Sequence, residues 1–112
     1  MDLDGRVFRA VADVVGGDVG TDTVFEYHQD GDLVWARYSG GSIRLGHLVG
    51  TRDGDTLDFR YSQLTTDGRT DAGHCVARVE ALPDGRLRLH EEWAWESREG
   101  SGTSVVESEP VR

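Results

Sequence analysis

A turn and a strand with one apolar face follow each other in Leu82-Pro83-Asp84-Gly85-Arg86-Leu87-Arg88-Leu89-His90-Glu91-Glu92-Trp93-Ala94-Trp95. Leu87, Leu89, Trp93 and Trp95 alternate with polar or small side chains, and this period of two is typical of a β-strand with one buried face. Pro83-Asp84-Gly85 predicts a tight turn before it, because proline presets φ and glycine accepts the left-handed conformation.

The alternation continues upstream, with apolar side chains at odd-numbered positions and charged ones at even-numbered positions. The odd set comprises Phe25, Tyr27, Leu33, Trp35, Ile43, Leu45, Val49, Leu57, Phe59, Tyr61, Val79, Leu87, Leu89, Trp93 and Trp95. We therefore predict that odd residues between Phe25 and Trp95 face the protein interior and that even residues face outward.

Four x-Asp-Gly turns explain how the parity survives from strand to strand. They are Gln29-Asp30-Gly31, Arg52-Asp53-Gly54, Thr66-Asp67-Gly68 and Pro83-Asp84-Gly85. As three-residue hairpin loops, each a type I turn closed by glycine, they keep odd residues on one face. Two-residue loops would reverse the face and bury Arg86, Arg88 and Glu92, so we predict three-residue loops.

The turns divide the chain into eight predicted strands, near residues 5–14, 19–29, 32–39, 42–50, 55–65, 70–81, 86–97 and 103–110. Their simple succession, without long helical stretches, predicts an all-β, antiparallel, up-and-down β-barrel that is calycin-like and forms one domain over residues 1–112. Phe8, Val11, Ala12 and Val15 also fit one helix face, so residues 5–14 are predicted as a strand or a short helix.

Composition limits the classes of partner. The formal net charge is −9 and the basic residues are spread singly, which argues against nucleic acid and membrane partners. The N-terminus lacks a signal-peptide pattern and Cys75 is the single cysteine, so we expect a cytoplasmic protein. The expected assembly is a monomer or a homodimer. The absence of lysine excludes a Schiff base.

The parity also directs several polar residues inward. Arg37 and Glu91 are predicted to form a buried pair, because an unpaired buried charge costs several kcal/mol. That pair could be purely structural, or it could meet the polar end of a ligand. The predicted ligand-binding set, for a small hydrophobic or aromatic molecule, is Tyr27, Trp35, Arg37, His47, Tyr61, Gln63, Glu91, Trp93 and Trp95.

Catalysis is the alternative to simple binding. In an isomerase, cyclase or hydrolase, Glu91 or His47 would transfer a proton while Arg37, Tyr27 or Tyr61 stabilises developing charge. No metal site and no cofactor is predicted, since the spacing of His47, Cys75 and Glu91 matches no metal-binding signature. Among the histidines, only His47 is expected inside.

The stretches Val34-Trp35-Ala36, Tyr38-Ser39-Gly40-Gly41-Ser42-Ile43 and Leu82 to Trp95 resemble a family of bacterial proteins of about this length. Its members often carry the label "N-acetylglutamate synthase", and the resemblance covers roughly residues 20–95. The resemblance implies N-acetylglutamate synthase activity as a third possibility, beside ligand binding and the proton-transfer catalysis described above. The chain lacks the glycine-rich strand-to-helix turn that holds the coenzyme in acetyltransferases of the usual kind. In architecture the predicted barrel resembles lipocalins and fatty-acid-binding proteins.

Overall fold

The computed structural model describes residues 1–110 and contains eight β-strands in this part of the chain. The strands are β1 (Val7–Ala10), β2 (Val24–Asp30), β3 (Leu33–Gly40), β4 (Ile43–Asp53), β5 (Thr56–Thr65), β6 (Thr70–Ala81), β7 (Leu87–Trp95) and β8 (Ser101–Ser108). No helix among the described residues is long and apolar enough to cross a membrane.

The strands form a closed, up-and-down antiparallel barrel. Each strand pairs with the next in the sequence, and β1 pairs with β8 through Phe8 and Ser108. The prediction of an all-β, eight-stranded antiparallel barrel is confirmed. Closure satisfies the strand edges that an open sheet would expose. Residues 5–14 contain the short strand β1 and no helix, and residues 11–23 form a long connection to β2.

Two of the four Asp-Gly turns have the predicted three-residue loop. Thr65 N–H donates to the Arg69 carbonyl across Thr66-Asp67-Gly68, and Leu82 N–H donates to the Arg86 carbonyl across Pro83-Asp84-Gly85. In both, arginine follows the glycine and immediately precedes the next strand. These loops preserve the odd parity of β5, β6 and β7.

For the other two turns the prediction of three-residue loops is wrong. Asp30 pairs directly with Leu33 and Asp53 with Thr56, which leaves two-residue loops, Gly31-Asp32 and Gly54-Asp55. Gly31 and Gly54 have φ of 61° and 59°. A glycine with positive φ at the first central position is typical of a type II′ hairpin.

Each two-residue loop reverses which parity faces inward, so β3 and most of β4 are inverted relative to the prediction. Val34, Ala36, Tyr38 and Leu48 are buried. The predicted interior residues Leu33, Trp35 and Val49 are instead 44%, 38% and 58% exposed. Ile43 is buried as predicted, since a register shift between Ile43 and Leu45 changes the parity within β4 and leaves Leu45 half-buried. Phe25, Leu57, Phe59, Leu89 and Trp93 are buried as predicted.

The end of the barrel that carries the β2–β3, β4–β5 and β6–β7 turns is filled by apolar side chains. Leu3 is fully buried there, and its N–H donates to Gln29 Oε1 at 3.0 Å. Arg6 Nη1 donates to the Gly85 carbonyl at 3.0 Å. The N-terminal segment therefore closes this end, together with Phe8, Tyr27, Val34, Leu57, Leu87, Leu89 and Val106.

Inward-facing glycines make room for large rings at the opposite end, which we call the mouth. A Cβ at Gly46 would overlap the Tyr38 ring, and one at Gly102 would lie 2.6 Å from Trp93 Cζ2. Glycine within a strand marks such close approaches. The small residues of β4 and β8 thus allow the rings of β3 and β7 to lie flat against the barrel wall.

Candidate functional site

A cavity occupies the mouth half of the barrel, above the apolar core. Its volume is about 60 Å³, enough for roughly four water molecules. Residues 17–19 of the β1–β2 connection line it on the mouth side. Six of the fifteen residues that line it are aromatic: Phe25, Tyr38, Phe59, Tyr61, Trp93 and Trp95.

The indoles of Trp93 and Trp95 occupy consecutive inward positions of β7. Their rings meet edge to face with centroids 5.6 Å apart, and Trp95 meets Tyr61 in the same way, also at 5.6 Å. Trp95 Nε1 donates to the Gly16 carbonyl at 3.2 Å, and the Arg98 guanidinium lies 4.2 Å from the Trp95 ring centroid. Edge-to-face packing and a cation over the ring hold Trp95 in place at the mouth.

Glu91 lies at the floor of the cavity, one inward position below Trp93. It pairs with Ser104 of β8, whose Oγ donates to Glu91 Oε1 at 2.7 Å. Glu91 is half-buried and borders the cavity. Burial raises the pKa of Glu91 to about 7, and the Ser104 hydrogen bond opposes that shift.

The other titratable groups near Glu91 are neutral. Burial raises the pKa of the Tyr61 phenol and of the Cys75 thiol, and the Glu91 charge raises both further. The same two causes raise the pKa of Tyr27, whose buried hydroxyl has no hydrogen-bond partner among the described residues. Cys75 therefore has the character of a small buried side chain, without a reactive thiolate.

A chain of hydrogen bonds connects the wall to the mouth. The Tyr38 hydroxyl donates to Gln63 Oε1 at 3.0 Å, and Gln63 Nε2 donates to Asp18 Oδ2 at 3.1 Å. Asp18 belongs to the β1–β2 connection, which crosses the mouth. Gln63 thus links this connection to the cavity wall.

Two arginines and two aspartates hold the connection in place. Asp18 pairs with Arg69 at 2.7 Å and with Arg98 at 3.3 Å. The same arginines pair with the buried Asp71 at 2.8 and 3.2 Å. The Arg69 hydrogen bond lowers the pKa of Asp71, so its carboxylate stays charged at neutral pH.

We expect Asp18→Asn to loosen the connection across the mouth, because it removes the charge from both Asp18 ion pairs. Partly exposed pairs of this kind contribute about 1 kcal/mol, or roughly fivefold in a local opening equilibrium. Hydrogen exchange at the Val14 amide, which bonds to the Val19 carbonyl at 3.0 Å, measures this opening.

Asp84→Asn is the matched control, since Asp84 pairs with Arg86 at 2.7 Å at the opposite end of the barrel. Its Val14 exchange should equal that of the unmodified protein. Unchanged exchange in Asp18→Asn would show that the ion pairs do not hold the connection.

The structure brings six of the nine predicted ligand-binding residues into the barrel. Tyr61, Gln63, Glu91, Trp93 and Trp95 line the cavity, and Tyr27 lies inside the barrel among the buried core residues. Their role in binding stays a prediction.

The predicted inward orientation of Trp35, Arg37 and His47 is wrong. All three lie on the outer face of β3 and β4, where Arg37 is paired in register with His47, and Trp35 stacks on His28 with centroids 5.4 Å apart. The buried Arg37–Glu91 pair does not exist, because the Gly31-Asp32 loop turns Arg37 outward. His47 is exposed, which leaves Glu91 as the candidate proton-transfer group inside the barrel.

Sequence reasoning missed Tyr38, Ser104 and Asp18. Tyr38 was assigned to the outside by the same parity error. Asp follows the glycine in both two-residue turns, whereas Arg follows it in both three-residue turns, and this difference is the available signal. Ser104 and Asp18 reach the site through strand register and loop path, for which the sequence contains no signal.

Within residues 1–110, no three His, Cys, Asp or Glu side chains are grouped so that they could hold a metal ion. The polar groups that line the cavity include Glu91, Ser104, Gln63, Asp18 and the phenols of Tyr38 and Tyr61.

A closed eight-stranded barrel with an aromatic cavity at one end defines a calycin-type barrel. Barrels of this size either fill with side chains or hold one small molecule. The chain belongs to the avidin-like family: the family model described as "Avidin-like protein" matches residues 1–109. No curated protein and no solved structure matches the chain.

This family assignment corrects the resemblance inferred from the sequence. The family matched across the chain is avidin-like, and the label "N-acetylglutamate synthase" is not supported. The calycin-like architecture that accompanied that resemblance fits the closed barrel.

Proposed function

We propose that this protein binds a small, partly aromatic molecule in the cavity at the mouth of the barrel. The observation that carries the proposal is the wall of six aromatic rings around a cavity with a polar floor. Apolar walls with few convergent polar groups are typical of small-molecule sites. Membership of the avidin-like family supports the same function.

The proposed ligand contacts lie at two levels of the barrel, near the mouth and at the floor of the cavity. Trp93, Trp95 and Tyr61 would cover the flat faces of the ligand near the mouth. Glu91 and Ser104 would meet its polar end at the floor. Because the cavity is small, a ligand of more than a few atoms would displace the β1–β2 connection, which the Asp18 ion pairs hold at the mouth.

We expect a bound ligand to raise the melting temperature and change tryptophan fluorescence. A ligand present at a hundred times its Kd stabilises the fold by about 2.7 kcal/mol, which is roughly 10 °C for a domain of this size. Biotin belongs in the screen as a ligand of avidin-type barrels, beside aromatic amines, amides, carboxylates and tetrapyrroles.

Two tryptophan variants provide a matched comparison. Trp93→Phe alters the cavity wall and should weaken binding and the fluorescence change. Trp35→Phe alters an indole on the outer face and should leave both unchanged. If no compound shifts either signal in the unmodified protein, or if Trp35→Phe alone removes the response, the cavity is not the binding site.

Proton transfer by Glu91 is the second candidate function. The raised pKa of Glu91, about 7, favours it, because a general base works best near the ambient pH. Each compound that binds should therefore be followed by NMR for conversion in unmodified protein and in Glu91→Gln. Conversion in the unmodified protein alone would establish catalysis, whereas unchanged compounds in both would leave binding as the function.

A further inference from the structure

The Glu91 carboxylate is incompletely paired. Oε1 accepts the hydrogen bond from Ser104, and within residues 1–110 no second hydrogen bond and no opposite charge acts on this carboxylate. Glu91 also borders the cavity. A deep carboxylate ordinarily has several donors or a counter-charge, since burying the charge alone costs several kcal/mol. The Glu91 carboxylate is therefore positioned to accept a donor from a molecule in the cavity.

No side chain of the cavity wall supplies a positive charge. Within the described part of the chain, the residues that line the cavity include neither arginine nor histidine, and the charged ones are Glu91 and Asp18. The nearest guanidinium groups at the mouth, Arg69 and Arg98, are both paired with Asp18 and Asp71. The cavity is thus electronegative, and an anionic head group would meet repulsion at the floor.

The aromatic wall also favours a cationic ligand over an anionic one. Ring faces attract cations, and the attraction strengthens where water is excluded. Trp95 already holds a guanidinium on its ring, that of Arg98 at 4.2 Å. Tyr61 and Tyr38 contribute rings whose phenols stay protonated, because burial raises the pKa of each.

We propose that the cavity selects the positively charged head of a small organic cation, an amidinium, guanidinium or primary ammonium, with Glu91 as its counter-charge and Ser104 holding that carboxylate. This inference rests on the proposed small-molecule binding and specifies the ligand class of the same cavity. The volume of about 60 Å³ suits a head group of a few atoms, with the rest of the ligand in the mouth.

Affinity for such a cation should rise with pH. Burial raises the pKa of Glu91 to about 7, so at pH 5 the carboxyl group is mainly protonated and at pH 8 it is mainly charged. An amidinium keeps its charge across this range. The titratable side chains that influence or line this region from the other elements are Tyr27, Tyr38, Tyr61, Cys75 and Asp18.

Acetamidinium, acetamide and acetate test the inference, because they share one shape and differ in charge. Binding of each is measured at pH 5 and pH 8 from the indole N–H signals of Trp93 and Trp95. At pH 8 acetamidinium should bind roughly tenfold or more tightly than acetate, since hydrogen bonds between charged partners are the strong ones. At pH 5 the preference should largely disappear.

Glu91→Gln keeps the shape of the side chain and removes its charge. At pH 8 it should weaken acetamidinium about tenfold and change acetamide less than about twofold. Glu92→Gln, one residue further and exposed on the outer face, is the control and should leave all three affinities unchanged.

Several outcomes would overturn the inference. Acetate binding as tightly as acetamidinium, or a preference that persists in Glu91→Gln, would show that Glu91 does not select charge. Absence of acetamidinium binding in a protein that still binds neutral or anionic aromatic compounds would reject the cation and keep the proposed function. If no compound of any charge binds, both the proposed small-molecule binding and the proposed selection of a cation are rejected.

Discussion

Glu91→Gln should stabilise the protein at pH 8 by about 3 kcal/mol and leave its stability nearly unchanged at pH 4. The pKa of Glu91 is raised from 4.5 to about 7 by burial, and each pKa unit corresponds to about 1.4 kcal/mol between folded and unfolded states. At pH 8 the corresponding rise in melting temperature is roughly 10 °C or more.

The direction in which stability changes with pH follows from proton binding at Glu91. Between pH 4.5 and pH 7 the folded protein binds a proton at Glu91 that the unfolded chain has already released, so the Glu91 contribution to stability falls as the pH rises through this window. Above pH 7 both states are ionised and the penalty is complete. Glutamine does not titrate, can still accept the Ser104 hydrogen bond, and so avoids the penalty.

Urea unfolding of both proteins at pH 4 and pH 8 measures the difference. Glu92→Gln, on the exposed face of the same strand, should change stability by less than about 0.5 kcal/mol at either pH. Destabilisation of Glu91→Gln at pH 8 would mean that a buried positive charge pairs with Glu91, as the parity of the sequence alone had predicted for Arg37.

The second large effect distinguishes two neighbouring residues of β4. Leu48→Ala should cost about 2–5 kcal/mol, because Leu48 is 3% exposed and lines the barrel interior. Val49→Ala should cost less than about 1 kcal/mol, since Val49 is 58% exposed on the outer face. The sequence alone predicted the reverse order.

Thermal and urea unfolding of the two variants give the comparison directly. The midpoint of Leu48→Ala should fall clearly below that of Val49→Ala. Equal midpoints, or a lower midpoint for Val49→Ala, would contradict the orientation of β4 and with it the two-residue loop at Gly31-Asp32.

The candidate site was predictable where three-residue loops keep the odd-numbered residues of the next strand facing inward. In β7, which follows the Thr66-Asp67-Gly68 and Pro83-Asp84-Gly85 loops, alternation alone placed Glu91, Trp93 and Trp95 inside. It failed between Gly31-Asp32 and Gly54-Asp55, since a one-residue difference in loop length transfers every side chain of a strand to the other face. Trp35, Arg37 and His47 were therefore assigned to the wrong face.

An energetic reason also explains why three-residue loops were wrongly predicted at two turns. Two-residue loops were rejected at all four turns because they would have buried Arg86, Arg88 and Glu92, but that cost arises only when the number of face reversals before β7 is odd. Two reversals, at Gly31-Asp32 and at Gly54-Asp55, cancel each other before β5. The charged faces of β5, β6 and β7 thus stay outward while β3 and most of β4 are inverted.

By itself the sequence determined eight short strands, their antiparallel succession and the aromatic inner face of β7, because period-two alternation and Asp-Gly turns are local features of the chain. Only the tertiary structure decided what surrounds Glu91. Its neighbour Ser104 comes from barrel closure and register, Asp18 comes from a connection that crosses the mouth, and Arg37 is absent because a turn reversed its strand. These contacts join residues far apart in sequence, and their geometry depends on loop lengths summed around the whole barrel.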